Sequence, residues 1–131
     1  MSWIERNIKW ILVVAGIFTS VTIYAVFAPQ AALRAQFGES LAGPVADMVV
    51  RNWGALITLV GLMILYAAFH PEIRRFVLVV TGISKVIFIA LVIAGGSNFM
   101  GHPIVIAALV DIVIVVLFGA YLLATARRPA V

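Results

Sequence analysis

Residues 76–94 read FVLVVTGISKVIFIALVIA, and residues 104–124 read IVIAALVDIVIVVLFGAYLLA. A helix needs about 20 mostly apolar residues to cross the hydrocarbon core, and both runs meet that length. The link between them carries Gly95, Gly96 and Gly101 and is short, so the two runs form an antiparallel hairpin of neighbouring helices. One ion interrupts each run, Lys85 in the first and Asp111 in the second. An ionisable side chain at the bilayer centre costs roughly 2.5–3.5 kcal/mol on insertion scales, and it faces a bundle interior or a cavity. Lys85 stands about 14 residues before the loop centre near residue 99 and Asp111 about 12 after it. At 1.5 Å per residue their depths differ by only about 3 Å. A lysine stem covers that distance, which predicts an intramembrane Lys85–Asp111 contact. Two meanings stay open for such a pair. It can fix helix register, or it can handle an ion, a proton or a ligand. Burial alone does not make it stabilising, because desolvation can exceed the Coulomb gain.

Two further runs have the same character, residues 8–28 and residues 49–69. Trp3, Arg6, Lys9 and Trp10 lead into the first. The second extends back to Pro44, which suits the first turn of a helix after Gly43. Pro103 opens the last run, which extends to Thr125 and is followed by Arg127, Arg128 and Pro129. With spans at 8–28, 49–69, 76–94 and 104–125, the expectation is one all-α domain, a four-helix transmembrane bundle. Val26-Phe27-Ala28 loosely fits a signal-peptide cleavage rule, but Pro29 would follow the cut, so a retained helix is expected. Between the first two spans, Pro29 can start a short helix and Gly38 can stop it. Ala31, Ala32, Leu33, Ala35 and Phe37 give it an apolar side, with Arg34, Gln36 and Glu39 turned to water. That pattern predicts an amphipathic helix on the membrane surface.

Composition agrees. The chain is 65% hydrophobic and 11% charged, against about 45–50% and 25% in soluble domains. A small soluble domain buries only about 60–70% of its unfolded surface, so the surplus must meet lipid. The absence of cysteine excludes disulfides, thiol catalysis and thiolate metal sites. His70 and His102 are too few for most imidazole sites. Four spans would also put them at opposite membrane faces, so they could not share a haem. The net charge of +4 does not point to nucleic acid, because the basic residues cluster at the ends of apolar runs, as topology signals do. Arg6, Lys9, Arg74, Arg75, Arg127 and Arg128 fall on one side, and Arg34 and Arg51 on the other. The bias predicts both termini in the cytoplasm and a location in the inner (plasma) membrane.

The polar residues within the spans define the candidate site. Thr81, Ser84 and Lys85 share one helix face, and Gly82 would admit a neighbouring helix closely. Thr19, Ser20, Thr22 and Tyr24 form a polar patch in the outer half of the first span, with Gly16 and Ser20 four apart. Asp47 and Arg51, also four apart, meet on one face of the second span. The plain reading of Arg51 is a snorkelling interfacial cation with a local partner. The sharper reading joins Asp47, Arg51, Lys85 and Asp111 into one outward-opening pocket suited to a lipid-like or quinone-like molecule. Trp3, Trp10, Trp53, Tyr66 and Tyr121 are placed for interfacial anchoring. Gly95-Gly96 reads as a helix stop rather than a phosphate cradle, since no strand precedes it. No nucleophile–base set is visible, and no cofactor or metal is implied.

The order of these features is familiar. Phe27-Ala28-Pro29 leads to Phe37-Gly38. Arg51-Asn52-Trp53-Gly54 opens a span, Phe69-His70-Pro71-Glu72-Ile73-Arg74-Arg75 makes a turn, and Arg127-Arg128 closes the chain. Over nearly its full length the chain resembles the small bacterial four-helix membrane proteins of the DoxX-like group, many of them of unknown function. The resemblance implies a four-helix bundle and carries over no catalytic residue. Small multidrug transporters share the length and span count, but they typically depend on a carboxylate in the first span, and this one has none. Three functions follow in order. The first is a non-enzymatic accessory subunit or a lipid or quinone binder. The second is an oligomeric transporter or channel using Lys85 and Asp111, and the third is a membrane enzyme. The expected partners are membrane lipids and either a larger membrane complex or further copies of the chain.

Overall fold

Ser2 sets the start of the first helix. Its hydroxyl accepts from the Glu5 backbone N–H at 3.3 Å, and the Glu5 carboxylate accepts from the Ser2 N–H at 2.9 Å. This reciprocal cap satisfies donors that a helix start otherwise leaves bare. It begins α1 (Trp3–Ser20) earlier than the apolar run alone suggests. The computed structural model describes residues 2–126, so Arg127, Arg128 and Pro129 lie outside the described residues. After α1 the chain makes one 3₁₀ turn (Val21–Ile23) and a last helical turn, α2 (Tyr24–Phe27). The helix then breaks at Ala28, as a residue before proline tends to. The elements that follow are α3 (Pro29–Phe37), α4 (Pro44–Phe69), α5 (Pro71–Gly95), a 3₁₀ turn (Gly96–Asn98) and α6 (Pro103–Ala124). Each of α3 to α6 has proline in its first turn, where a missing N–H costs nothing. Gly38 ends α3 at φ 75°, a left-handed cap natural to glycine.

The four long elements close into a ring in which α1 packs on α4, α4 on α5, α5 on α6 and α6 on α1. The α1–α4 seam is the most extensive, and glycine explains it. A methyl group at Gly61 would lie 2.7 Å from the Ser20 nitrogen and 2.9 Å from the Gly16 carbonyl. One at Gly54 would lie 2.9 Å from the Ala25 Cβ. Membrane helices associate through such close packing because lipid removes the hydrophobic drive between them. Gly82 does not act in this way. Nothing lies within 4 Å of the position its side chain would take, so the expected close approach there is absent.

The main core fills the half of the bundle nearest the chain termini. Ile8, Leu12, Ile64, Ala67, Val77, Leu78, Ile114 and Phe118 are all buried there. A smaller cluster sits at the other end, where Ala32 and Leu33 of α3 pack on Ala25 and Val50 beside Trp53. So α3 turns its apolar face onto the bundle end rather than into lipid, while Ala31 and Ala35 stay exposed. Phe37 meets Phe99 edge-on at 5.6 Å, and the His102 ring lies over Gly38. These contacts fasten the end of α3 to the α5–α6 connection.

The arginines of the α4–α5 turn have local work. Arg74 is buried and donates to the Ala67 and Ala68 carbonyls at 3.0 Å each, capping the end of α4. Arg75 donates to the Leu122 carbonyl and the Thr125 hydroxyl at the end of α6. Helix C-termini carry unpaired carbonyls and partial negative charge, and a guanidinium answers both.

Candidate functional site

Lys85 projects from α5 into the bundle, and Asp111 meets it from α6. Nζ stands 2.8 Å from Oδ1, with both side chains at most one-tenth exposed. The expected pair is formed. Lys85 also donates to the Thr19 hydroxyl of α1 at 3.1 Å. The Thr19 O–H in turn donates to the Ala15 carbonyl at 2.7 Å, which leaves its lone pairs facing the ammonium. One nitrogen thus ties three helices together. Charge-assisted bonds of this kind are the stronger ones, and the low dielectric of the interior raises the cost of leaving any of them unmade.

The two sides of the pair differ. Toward the termini, Thr81 is fully buried and donates to the Val77 carbonyl at 2.7 Å. Leu12, Ile64, Leu78 and Phe118 then fill the interior without exposure. Toward α3 lies a cavity of about 320 Å³. Its walls are mainly apolar, with Phe18, Val21, Ile57, Val60, Phe88, Ile106 and Ala107. Its polar groups come from Thr19, Thr22, Tyr24, Gln36, Trp53, Ser84, Lys85 and Asp111. Val21 and Ile106 are also exposed on the outside of the bundle, so the cavity is open along its edge.

Of the candidate residues, Lys85, Asp111 and Ser84 line this cavity. Thr81 does not, because it sits a turn beneath Lys85 inside the packed core. Asp47 and Arg51 do not line it either, and they do not pair. Asp47 accepts from Gln30 Nε2 at 2.6 Å, while Arg51 donates to the Val26 carbonyl. The cause is the break at Ala28, which frees carbonyls at the end of the first span and brings Gln30 of α3 alongside α4. Gln30 further donates to the Leu41 carbonyl. The four-ion pocket is therefore not assembled, and Asp47 and Arg51 instead tether α3 and the end of the first span to α4. Gln36 and Trp53 are the residues that sequence reading misplaced. Gln36 faces the cavity rather than water, and Trp53 lines it rather than anchoring outward. The signal for Gln36 was present. Pro29, Ala32, Leu33, Gln36 and Phe37 follow helical spacing, and all five lie on the inward side.

His70 and His102 lie at opposite ends of the bundle. The Tyr66 carbonyl accepts from His70 Nδ1 at 2.9 Å, and the two rings stack at 3.7 Å. Among the described residues no group of three or more His, Cys, Asp or Glu side chains could hold a metal. No family model, curated protein or solved structure matches the chain. Fold and site thus define its class by themselves. Among the described residues, four helices are long and apolar enough to cross a membrane, and each buries only 22–28% of its most apolar stretch. The rest of that surface is apolar and exposed, as on helices that face the interior of a membrane. The chain is a multi-pass membrane protein, a four-helix bundle with a buried ion pair at the floor of a cavity.

Proposed function

We propose that the protein binds an amphiphilic molecule of the bilayer, lipid-like or quinone-like, in the cavity above Lys85 and Asp111. The observation that carries this is the asymmetry about the pair. One side is an edge-open cavity lined with polar groups; the other is an apolar core, flanked by a groove between α1 and α6 whose lining from Trp3 to Leu117 is almost wholly apolar and reaches neither Lys85 nor Asp111. A conduction path would need polar continuity on both sides, so the arrangement favours binding over passage. The volume lies at the lower end of the roughly 300–1,000 Å³ of small-molecule sites, and apolar walls with a few convergent polar groups are their usual make-up. The edge beside Val21 and Ile106 lets an acyl or isoprenoid tail trail into the bilayer. The role is non-enzymatic in this reading. The outward apolar faces suit surrounding lipid, a larger complex or further copies of the chain. Membership of the DoxX-like group rests on the sequence motifs alone. An inner-membrane location with cytoplasmic termini rests on Arg6, Lys9, Arg74 and Arg75 gathering at one end.

Trp53 provides the test, since it lines the cavity while Trp3 and Trp10 lie near the chain start. The full chain carrying Trp3→Phe and Trp10→Phe is placed in phosphatidylcholine nanodiscs and titrated with a short-chain benzoquinone, which quenches tryptophan. Saturable quenching is expected, weakened at least tenfold when Ala107→Leu fills the cavity. Linear quenching that is equal in both proteins would refute the site.

A further inference from the structure

The polar lining of the cavity has a particular charge balance. Lys85 and Asp111 contribute one charge of each sign and cancel. The remaining polar side chains, Thr22, Tyr24, Gln36 and Ser84, are uncharged. Among the described residues none of these four makes a side-chain hydrogen bond, and none is sealed inside the protein without a partner. The ion pair is also incompletely used. An ammonium has three donors, and Lys85 engages two, with Thr19 and Asp111. Asp111 engages Oδ1. Oδ2 has no hydrogen bond within the described residues and is not among the enclosed orphan atoms. A spare donor and a spare acceptor therefore belong to two bonded residues that both line the cavity.

Resting on the proposal that the cavity is a ligand site, we infer that its occupant is an uncharged, hydroxyl-bearing amphiphile, selected against both anionic and cationic lipids of the same chain length. A hydroxyl can donate to Asp111 Oδ2 while accepting from Lys85, and a second oxygen can reach Ser84 or Gln36. A carboxylate head would leave one net negative charge among mainly apolar walls and a phosphate monoester between one and two, while a quaternary ammonium would leave one net positive charge. Neither finds a further countercharge in the lining, because Arg51 and Asp47 do not line the cavity. Unpaired charge in such surroundings is heavily penalised. The volume admits roughly ten water-sized groups at about 30 Å³ each, enough for a small polyol or ring head with the first part of a tail.

The test compares three probes with identical brominated acyl chains, which quench tryptophan on contact. These are a monoacylglycerol, a lysophosphatidic acid and an acylcholine. Each is titrated into nanodiscs holding the full chain with Trp53 as its single tryptophan. The monoacylglycerol is expected to saturate quenching at a concentration at least tenfold lower than either charged probe. Equal or tighter binding of a charged probe overturns the inference and leaves the ligand site standing. No saturable quenching by any probe overturns both. Asp111→Asn supplies a second readout, checked for helicity beforehand. It leaves the Lys85 charge uncompensated, so the preference should swing toward the lysophosphatidic acid. An unchanged order of the three probes would mean that charge balance does not set selectivity.

Discussion

Thr19 shows that Lys85 does not rest on Asp111 alone. Its hydroxyl is oriented by the Ala15 carbonyl and adds a second oxygen beside that of Asp111. Removing either ion strands the other, and in proteins that loss is about 3–5 kcal/mol. Lys85→Ala and Asp111→Ala should each lower the unfolding midpoint in mild detergent, and the double variant should lose less than the sum. A coupling of roughly 0.5–3 kcal/mol is expected, and strict additivity in thermal melts would contradict the pairing. Thr19→Val should cost less, about 1–3 kcal/mol, because the carboxylate remains. The Lys85–Asp111 pair was legible because both residues belong to one hairpin, where chain spacing sets depth. Thr19 was not legible as a partner, since no spacing rule relates α1 to α5. Asp47 and Arg51 misled for a related reason. Four-residue spacing permits a contact, but Gln30 and the Val26 carbonyl offered competing partners that exist only once the helix breaks at Ala28.

Helices in this protein meet where side chains are missing. Gly61 lies against the backbone of α1, whereas Gly82 has open space beside it. Gly61→Leu should therefore destabilise the bundle by more than the roughly 1–3 kcal/mol typical of overpacking, since backbone rather than a pliant side chain blocks the way. Gly82→Ala should be neutral or stabilising, by up to about 1 kcal/mol from helix propensity. Comparing thermal melts of the two variants separates a seam glycine from a passive one, and equal losses would count against the seam. The spans themselves were plain in the sequence, because long apolar runs between basic turns have few other solutions. The orientation of α3 was harder. Gathering all its apolar residues on one side gave a surface helix, whereas helical spacing selects Pro29, Ala32, Leu33, Gln36 and Phe37. Small alanines carry too little hydrophobic weight to mark a face against that geometry.

The bundle as an assembled object is polar in direction. Arg6, Lys9, Arg74 and Arg75 lie at the end of the main core, and α3 covers the end that holds the cavity. The chain has no cysteine, so a single introduced thiol reports its own position unambiguously. In intact cells, Ser97→Cys is expected to react with an impermeant maleimide, and Ser2→Cys only after permeabilisation. The reverse pattern would invert the orientation and open the cavity to the cytoplasm. The order of the helices along the chain has another consequence. A ribosome makes α1 before α5 and α5 before α6, so the helix that carries Thr19 precedes the lysine to the membrane, and the compensating acid follows 26 residues behind it. The ammonium finds an oxygen waiting for it and needs to hold that single partner only until the next helix emerges. The nascent chain thus carries its most awkward residue for the length of one hairpin, and closing that hairpin restores charge neutrality.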